Sequence, residues 1–240
     1  MRLLDLTLST PEENIALDEA LVLVADREAA ARGTLRIWEP VSPIVVVGRS
    51  SAIAEEVNVA ACEADAVPII RRTSGGAAVV AAPGCLMYAL VFAYDRRPDL
   101  RLIDRAHRFV LDRMAAALDA LAPGLRQAGV SDLALVNRKV SGNSMRCCRH
   151  SMLYHGTLLY DMPLELIDRY LCMPPRQPDY REARPHGAFV ANLPISGGEV
   201  RSRTVGVWQA VATTDPWPRE LTTQLVREKY ARDAWNRKIV

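Results

Sequence analysis

The sequence lacks the cysteine arrangements that hold metal ions or stabilise small secreted proteins. Its five cysteines are an odd number, and no two of them form a Cys-x-x-Cys pair. This argues against a zinc site and a disulfide framework, and it favours a reducing compartment. An acidic residue, Asp5, falls where a secretory signal peptide has a positively charged segment. We therefore expect a cytoplasmic protein.

A strong charge of one sign is also missing. Lysine and arginine total 30 and aspartate and glutamate total 28, which gives a net charge of +2. This balance argues against a bulk nucleic-acid binder, because such proteins present a strongly basic face. No uninterrupted apolar run approaches the length of a membrane span. We expect neither nucleic acid nor membrane as a partner.

Apolar residues, by contrast, are plentiful. They make up 50% of the 240 residues, so the chain can build a core for one large domain or two small ones. No internal repeat, low-complexity tract or linker divides the sequence. We expect a single domain over residues 1–240.

Local patterns predict strands in runs with helices between them. The first helix begins at Thr10-Pro11-Glu12-Glu13, which has the capping box of a helix start, and Gly33 is its expected end. Further helices are predicted at 58–65, 100–121, 163–171 and 218–230, and strands at 35–38, 44–47, 67–71, 77–80, 86–93, 132–136, 139–140, 152–160 and 205–211. Residues 173–198 are predicted to cross the surface as a long irregular segment. This order favours an α+β fold around a mixed or antiparallel sheet.

One loop pairs guanidinium groups with consecutive glycines. It reads Arg71-Arg72-Thr73-Ser74-Gly75-Gly76-Ala77-Ala78. Arginine suits phosphate or carboxylate, and consecutive glycines allow a nest of backbone N–H groups around an anion. The spacing is neither that of a P-loop nor that of a dinucleotide fingerprint. A tight turn between strands explains the pattern equally well.

A second glycine-centred stretch places Lys139 just before a predicted turn at Ser141-Gly142-Asn143. A strand-like run, Leu153-Tyr154-His155-Gly156-Thr157-Leu158-Leu159, follows it. Lysine is a point charge with a long reach, and glycine lets backbone N–H groups approach a ligand. An ordinary polar hairpin explains this stretch alone equally well. Two such stretches can converge on one anionic group beside an apolar groove, which suggests an acyl or nucleotide ligand.

Several motifs, taken in order, resemble those of the lipoate–protein ligase and octanoyltransferase family. They are RRTSGG, a GCLMY strand, SDLALVNRKVSGN and LYHGTLLYD. The NIALDE stretch near the N-terminus resembles the family's first helix. The resemblance covers about residues 10 to 195. It implies the catalytic domain that this family shares with biotin protein ligase.

The resemblance also implies roles for particular residues. Lys139 would be the catalytic lysine, whose ammonium holds the acyl carbonyl and the phosphate of an acyl-adenylate. Arg72, Ser74, Gly75 and Gly76 would line the acyl and phosphate site, with Ala77 and Ala78 where the family has a third glycine. Asp132 matches the ligase pattern. The opposite wall would consist of Ser141, Gly142, Asn143, His155, Gly156 and Thr157.

The same resemblance implies substrates and partners. ATP as its Mg²⁺ complex would activate lipoate or octanoate. The acceptor would be a lysine of a lipoyl carrier domain, of the 2-oxoacid dehydrogenase E2 or glycine cleavage H protein type. Many members have a C-terminal accessory domain. We expect none here, so a separate accessory subunit is the alternative.

Ligase and transferase remain alternatives. Asp132-Leu133 stands where one class of octanoyltransferase has its cysteine, and this favours ATP-dependent ligation. A transferase would hold the acyl group as a cysteine thioester, for which Cys85 and the Cys147-Cys148 pair are candidates. Cys85 alternatively packs in the core, and the pair alternatively lies in a solvated loop. A non-catalytic lipoate-binding protein is a third alternative, because Ala81-Ala82 replace a histidine–aspartate pair of the family.

Overall fold

The computed structural model describes residues 1–28 and 32–239. Its strands are β1 (Arg2–Asp5), β2 (Thr34–Trp38), β3 (Ile44–Val47), β4 (Ile69–Arg71), β5 (Val79–Ala81), β6 (Cys85–Ala93), β7 (Arg126–Ala128), β8 (Asp132–Leu135), β9 (Arg138–Cys147), β10 (Ser151–Leu159) and β11 (Val211–Ala212). Its α-helices are α1 (Pro11–Arg27), α2 (Ile53–Glu56), α3 (Val59–Ala64), α4 (Ile103–Leu118), α5 (Glu165–Tyr170), α6 (His186–Phe189), α7 (Gly197–Val207), α8 (Arg219–Leu225) and α9 (Asp233–Asn236). A π-helix, Val226–Tyr230, continues α8.

The strands form two sheets. The larger has the order β11-β1-β2-β6-β10-β9-β8-β7 and the smaller the order β4-β3-β5. In the larger sheet β1 is parallel to both β11 and β2, whereas the pairs from β2 through β7 are antiparallel. The smaller sheet has one parallel and one antiparallel pair. With helices packed on these sheets, the predicted α+β fold with mixed sheets is confirmed.

Helix α1 begins where the capping pattern predicts. The Thr10 hydroxyl accepts a hydrogen bond from the Glu13 N–H, and the Glu13 carboxylate accepts one from the Thr10 N–H. The helix packs against β6 and β10 of the larger sheet. It ends at Arg27 rather than at the predicted Gly33, because Glu28 already has an extended backbone. Residues 29–31 lie outside the described part of the chain.

Besides a smaller apolar cluster between α1 and strands β6 and β10, two larger apolar cores fix the sheets relative to the helices. One lies between the smaller sheet, α1 and α5, and includes the four valine and isoleucine side chains of β3. The other lies between the larger sheet and helices α4 and α7. The loop from β4 to β5 and the β8–β9 hairpin emerge beside these cores. Rigid elements therefore hold both glycine-centred stretches of the sequence.

The predicted turn at residues 141–143 is wrong. The chain reverses earlier, at Val136 and Asn137, whose φ angles are +46° and +60°. Such a two-residue hairpin loop needs positive φ at both central residues. From Arg138 onwards, β9 runs as one strand through Ser141, Gly142 and Asn143.

The predicted strand at residues 205–211 is also wrong for most of its length. Ser196 and Glu199 form a second capping box, which starts helix α7 before this apolar stretch. The helix extends to Val207, and only Val211 and Ala212 form the short edge strand β11. The final predicted helix, 218–230, is observed as α8 continued by the π-helix, and α9 follows beyond the predicted range.

Candidate active site

A β-bulge sets the geometry of the lysine hairpin. Lys139 lies opposite Ala134 and Gly142 lies opposite Asp132, with an irregularity in register between the two pairs. In a regular strand, residues three apart point to opposite faces. One extra residue in β9 lets Lys139 and Gly142 share the face that carries Asp132. Val140 and Ser141 are instead fully buried.

Lys139 and Asp132 form an ion pair on that face. Lys139 Nζ is 2.8 Å from Asp132 Oδ1, and their side chains are 28% and 10% exposed. A Cβ added to Gly142 would lie 2.9 Å from both Lys139 Cε and Nζ, so glycine leaves room for the ammonium. The other carboxylate oxygen, Asp132 Oδ2, accepts a 2.8 Å hydrogen bond from the Tyr180 hydroxyl. The ammonium is thus held in place and still open to a ligand.

Arg72 holds the β4–β5 loop together. Its guanidinium donates to the backbone carbonyls of Val46, Gly75 and Ala77 and to the Ser74 hydroxyl. Burial lowers the pKa of Arg72 to about 10, against the opposing attraction of the Glu56 carboxylate. Arg72 borders the smaller cavity, yet its donors are engaged by its own loop and by β3. It therefore shapes the site more than it offers free donors to an anion.

His155 joins this loop to α1. Its Nε2 lies 2.5 Å from Ser74 Oγ, and its Nδ1 lies 3.5 Å from Asp18 Oδ2. Asp18 in turn pairs with the fully buried Arg36 at 2.6 Å. The chain of contacts from Arg36 to Ser74 fixes the histidine ring beside the glycine loop.

Asn143 and Gly156 form the wall next to Lys139. The Asn143 amide donates to Ser131 O and Ser141 Oγ, and it accepts from the Tyr88 hydroxyl. A Cβ on Gly156 would lie 1.8 Å from Asn143 Oδ1, so this close approach requires glycine. Both polar atoms of the Asn143 amide group are thereby held, by Tyr88 and Ser141 of the larger sheet and by Ser131 just before β8.

Two cavities meet at Lys139. The larger has a volume of about 460 Å³ and the smaller of about 130 Å³. Both are bordered by Gly76, Ala77, Ala78, Val79, Ser131, Asp132, Lys139, Gly142 and Thr157. The smaller cavity reaches between apolar side chains of α1, β3 and β6, namely Ile15, Val46 and Met87. The larger extends towards Glu56, Leu171 and Phe189.

Most of the residues that the sequence suggested border these cavities. Ser141 borders the larger cavity, and Arg72, Asn143, His155 and Gly156 border the smaller. Ser74 and Gly75 border neither. Instead, they stabilise the β4–β5 loop behind the cavity wall through hydrogen bonds with Arg72 and His155.

The candidate nucleophiles lie elsewhere. Cys85 is fully buried in the apolar core beside the smaller sheet and borders neither cavity. Burial, with a contribution from Glu39, raises the pKa of its thiol. Cys147 and Cys148 lie at the far end of β9, at the β9–β10 turn. The geometry therefore brings no cysteine thiol to Lys139 among Cys85, Cys147 and Cys148.

Sequence reasoning missed two contributors. Residues 173–190, which we call the cover segment, border the larger cavity through Pro174, Arg176, Gln177, Pro178, Arg181, His186, Phe189 and Val190. Glu56 borders the same cavity, and its carboxylate accepts a 2.5 Å hydrogen bond from the Ala78 N–H. The clustered prolines and arginines of this segment predicted a surface position, but no sequence pattern within the segment indicated which cavity it borders.

Residues 1–28 and 32–239 contain neither a cluster of metal ligands nor a helix that could span a membrane. No group of three or more His, Cys, Asp or Glu side chains there is arranged to hold a metal ion. No helix among the same residues has the length and apolar character needed to cross a membrane.

Comparison with known proteins identifies the family. Residues 10–208 match the family model of the lipoyl protein ligase A/B catalytic domain. The chain therefore belongs to this family, whose members named among its relatives are lipoate–protein ligases, and it is an enzyme.

Particular relatives extend this result. A putative lipoate-protein ligase A of Aeropyrum pernix is 30% identical over 87% of this chain and 74% of its own length. Several other curated relatives are longer, and the chain spans only 46% of their length.

Three solved structures share the fold. The chain of a bi-partite lipoate protein ligase from Thermoplasma acidophilum, studied with its E2 lipoyl domain, has a TM-score of 0.83 at 22% identity and covers 100% of this chain and 96% of its own. A putative T. acidophilum ligase with bound lipoic acid has a TM-score of 0.82 at 21% identity, covering 99% and 98%. Lipoate-protein ligase A bound with ATP has a TM-score of 0.77 at 22% identity, covering 100% and 99%.

Proposed function

We propose that this protein activates lipoate or octanoate with the Mg²⁺ complex of ATP and transfers the acyl group to a lysine of a lipoyl carrier domain. The observation that carries the proposal is the position of Lys139, an anchored ammonium where an apolar cavity meets a larger one. Family membership and relatives with bound lipoic acid or ATP support the choice of substrates.

The reaction has two steps. In the first, a carboxylate oxygen of the acid bonds to the α-phosphorus of ATP, and the bond from that phosphorus to the pyrophosphate leaving group breaks. In the second, the carrier amine bonds to the acyl carbon, AMP leaves with the electron pair of the acyl–oxygen bond, and the amine loses a proton. Negative charge develops near the acyl carbonyl and the α-phosphate. A fixed ammonium there lowers both barriers.

Asp132 gives Lys139 its fixed position in this scheme. The carboxylate holds Nζ at 2.8 Å, and Gly142 leaves the opposite side of the ammonium open. Preorganised charges stabilise a transition state without reorganising as the reaction proceeds. The pair also keeps the lysine charge from lying unpaired at the cavity junction.

We assign the smaller cavity to the acyl chain and the larger to the nucleotide. Ile15, Val46 and Met87 give the smaller cavity apolar walls that suit an alkyl chain. The larger cavity, at about 460 Å³, has both apolar walls and scattered polar groups such as Thr157 and His186. Both assignments place the reacting carboxyl group at Lys139.

The partners follow from the same proposal. The acceptor is a lipoyl carrier domain, of the 2-oxoacid dehydrogenase E2 or glycine cleavage H protein type. A separate accessory subunit is a further proposed partner, and the bi-partite architecture of the T. acidophilum ligase supports it. The single catalytic domain over residues 1–240 and the cytoplasmic location stay predictions, the latter supported by five free cysteines.

The test is the intact mass of a lipoyl carrier domain after incubation with the protein. One reaction contains lipoate, ATP and Mg²⁺, a second omits ATP, and a third contains octanoyl acyl-carrier protein alone. We expect modification only in the first, and we expect Lys139→Ala to abolish it. Lys238→Ala is the matched control, because that exposed lysine lies at the C-terminal end against Trp235.

Each other outcome contradicts the proposal in a defined way. Modification from octanoyl acyl-carrier protein alone would establish an octanoyltransferase. Modification that persists in Lys139→Ala would remove the lysine from the mechanism. If none of these three reactions modifies the carrier, a fourth reaction with preformed lipoyl-adenylate decides. No modification there would favour the non-catalytic lipoate-binding alternative.

A further inference from the structure

Tyr180 lies outside both cavities and still touches the charged pair. Its hydroxyl donates to Asp132 Oδ2 at 2.8 Å, while Asp132 Oδ1 holds Lys139 Nζ at 2.8 Å. Both carboxylate oxygens are thus engaged, one by the tyrosine and one by the lysine. Burial, followed by the neighbouring Asp132 carboxylate, raises the pKa of Tyr180, so the phenol stays a hydrogen-bond donor.

A carboxylate held through both oxygens has a fixed plane. Rotation of the Asp132 side chain would break the hydrogen bond from Tyr180 or lengthen the ion pair with Lys139. A hydrogen bond to a charged acceptor is stronger than one between neutral groups, so this restraint is substantial. The position of Nζ therefore depends on a residue of the cover segment.

Packing fixes the tyrosine ring itself. Its centroid lies 5.1 Å from that of Phe189, within the same segment. On the other side, Gly129 has a φ of +55°, and a Cβ there would lie 3.4 Å from the ring and 3.1 Å from Pro178. The cover segment therefore packs closely against the turn between β7 and β8.

Backbone contacts join the end of the cover segment to the strand that bears the lysine. Val190 pairs with Lys139 as an isolated parallel bridge, and the Ala191 N–H donates to Lys139 O at 2.9 Å. Arg184 donates to the Asn137 carbonyl of the β8–β9 turn. The segment that borders the larger cavity is thus attached to the same hairpin that carries the ion pair.

We propose that Tyr180 is a positioning residue. It orients Asp132 and, through Asp132, fixes the Lys139 ammonium while the cover segment packs against the β7–β8 turn and the β8–β9 hairpin. The catalytic consequence of this inference rests on the proposed function. The restraint on Lys139 itself is independent of that function. The cover segment thereby restrains the lysine at the cavity that the segment borders.

The first test is the Tyr180→Phe variant in single-turnover transfer from preformed lipoyl-adenylate to a carrier domain. The phenylalanine ring keeps the packing against Phe189 and removes only the hydroxyl. We expect the rate of transfer to fall about tenfold, as the loss of one charge-assisted hydrogen bond allows. The KM for the carrier should stay near the wild-type value, because the hydroxyl borders neither cavity.

Tyr170→Phe is the matched control. The Tyr170 hydroxyl also donates to an aspartate at 2.8 Å, to Asp65 Oδ2, and Tyr170 borders neither cavity. A wild-type rate for this variant, with a reduced rate for Tyr180→Phe, supports the proposal. Equal rates for the wild type and Tyr180→Phe would overturn it, as would an equal loss in both variants.

The second test does not require activity. Trace acetylation of the folded protein, read by peptide mass spectrometry, compares the labelling of Lys139 with that of the exposed Lys238. Tyr180→Phe leaves the Lys139 ammonium less firmly held, so we expect its labelling ratio to rise, with no rise in Tyr170→Phe. An unchanged ratio in Tyr180→Phe would overturn the positioning role. If the wild type transfers no acyl group, the proposed function fails, and this ratio alone decides the role of Tyr180.

Discussion

Lys139 reaches Asp132 because β9 contains one residue more than a regular pairing needs. The extra residue turns Val140 and Ser141 towards the core and leaves Lys139 and Gly142 on the cavity face. Bulges of this kind are frequent next to active sites, where they redirect a side chain. The motif around Lys139 could be recognised from the sequence, but its bulge could not. A glycine at 142 fitted a turn as well as it fits the space beside an ammonium.

At the residue scale, we expect Gly142→Ala to impair the reaction without unfolding the protein. The new methyl group would lie 2.9 Å from Lys139 Cε and Nζ, which are the mobile end of a flexible side chain. The lysine can move aside at little cost in stability, but Nζ then leaves its position. A misplacement of about 1 Å can cost on the order of a hundredfold in rate. Carrier modification rates and thermal unfolding of the same preparation test this.

Gly206→Ala is the control for this substitution. Gly206 is in helix α7, and a Cβ there meets no atom within 4 Å. Its activity should equal that of the wild type. Wild-type activity in Gly142→Ala would contradict the need for a fixed ammonium. A large drop in the unfolding temperature of Gly142→Ala would instead show that Gly142 is needed for folding.

At the scale of elements, the start of the β4–β5 loop is held in place by the C-terminal part of the described chain. Arg71 is fully buried at the end of β4, and its guanidinium donates to carbonyls of residues 235, 236 and 239. The indole of Trp235 donates back to Arg71 O at 2.7 Å. The sequence analysis noted Arg71 only as one of two guanidinium groups beside the glycines, because its partners are too distant along the chain for a local pattern to indicate.

A second contact of this kind surrounds Glu19 of α1. Glu19 is 3% exposed. Its carboxylate accepts hydrogen bonds from Lys229 Nζ at 2.7 Å and from the Tyr230 hydroxyl at 2.5 Å, and it pairs with Arg146 of β9. Lys229 and Tyr230 are presented by the π-helix, a rare form that often marks a functional or strained site. One buried carboxylate therefore joins α1, β9 and the C-terminal helices.

We expect Glu19→Gln to destabilise the protein by about 3 kcal/mol, because it leaves two partly buried cations without their carboxylate. Burial raises the pKa of Glu19, but hydrogen bonds from Lys229 and Tyr230 outweigh it and lower that pKa below its usual 4.5. The ionised carboxylate therefore contributes stability above pH 4.5, and the contribution is lost as the pH falls through the lowered pKa. Denaturant unfolding over this acid range should show a smaller pH dependence for the variant.

Glu228→Gln provides the comparison. Glu228 lies on the same π-helix, but its side chain is 50% exposed and its partners are Arg227 and Gln224. We expect nearly wild-type stability for this variant at neutral pH. If Glu19→Gln and Glu228→Gln unfolded at the same denaturant concentration, the buried pairing would have no particular weight.

The elements that the sequence predicted well are those whose signals are local. The capping box at Thr10 and the four apolar residues of β3 were both confirmed. The strand predicted at residues 205–211 failed because Val205 and Val207 fit either secondary structure, and the capping box at Ser196 decided for a helix. Helix α1 ends at Arg27 and not near the predicted Gly33, since Glu28 already leaves the helical conformation.

At the scale of the whole molecule, the two cavities come from distant parts of the chain. Helix α1, the β4–β5 loop, the β8–β9 hairpin and the cover segment all border one or both of them. The family motifs covered α1, the β4–β5 loop and the β8–β9 hairpin, but the resemblance gave no site role to α1 and no motif to the cover segment. The cover segment reaches Lys139 through contacts that are distant in sequence, such as the bridge between Val190 and Lys139.

Because residues of the described chain border both cavities and place Lys139 at their junction, we expect this chain alone to transfer the acyl group from preformed lipoyl-adenylate to a carrier domain. Any accessory subunit would then be needed only for making the adenylate from lipoate and ATP. Single-turnover mass spectrometry with the synthetic adenylate checks this, with the reaction without protein as the blank and Lys139→Ala as the inactive variant. Transfer from the adenylate, together with no modification from lipoate and ATP, would assign the missing step to a second subunit. Transfer no faster than the blank would contradict this expectation and, with no modification from lipoate and ATP either, would favour the non-catalytic lipoate-binding alternative.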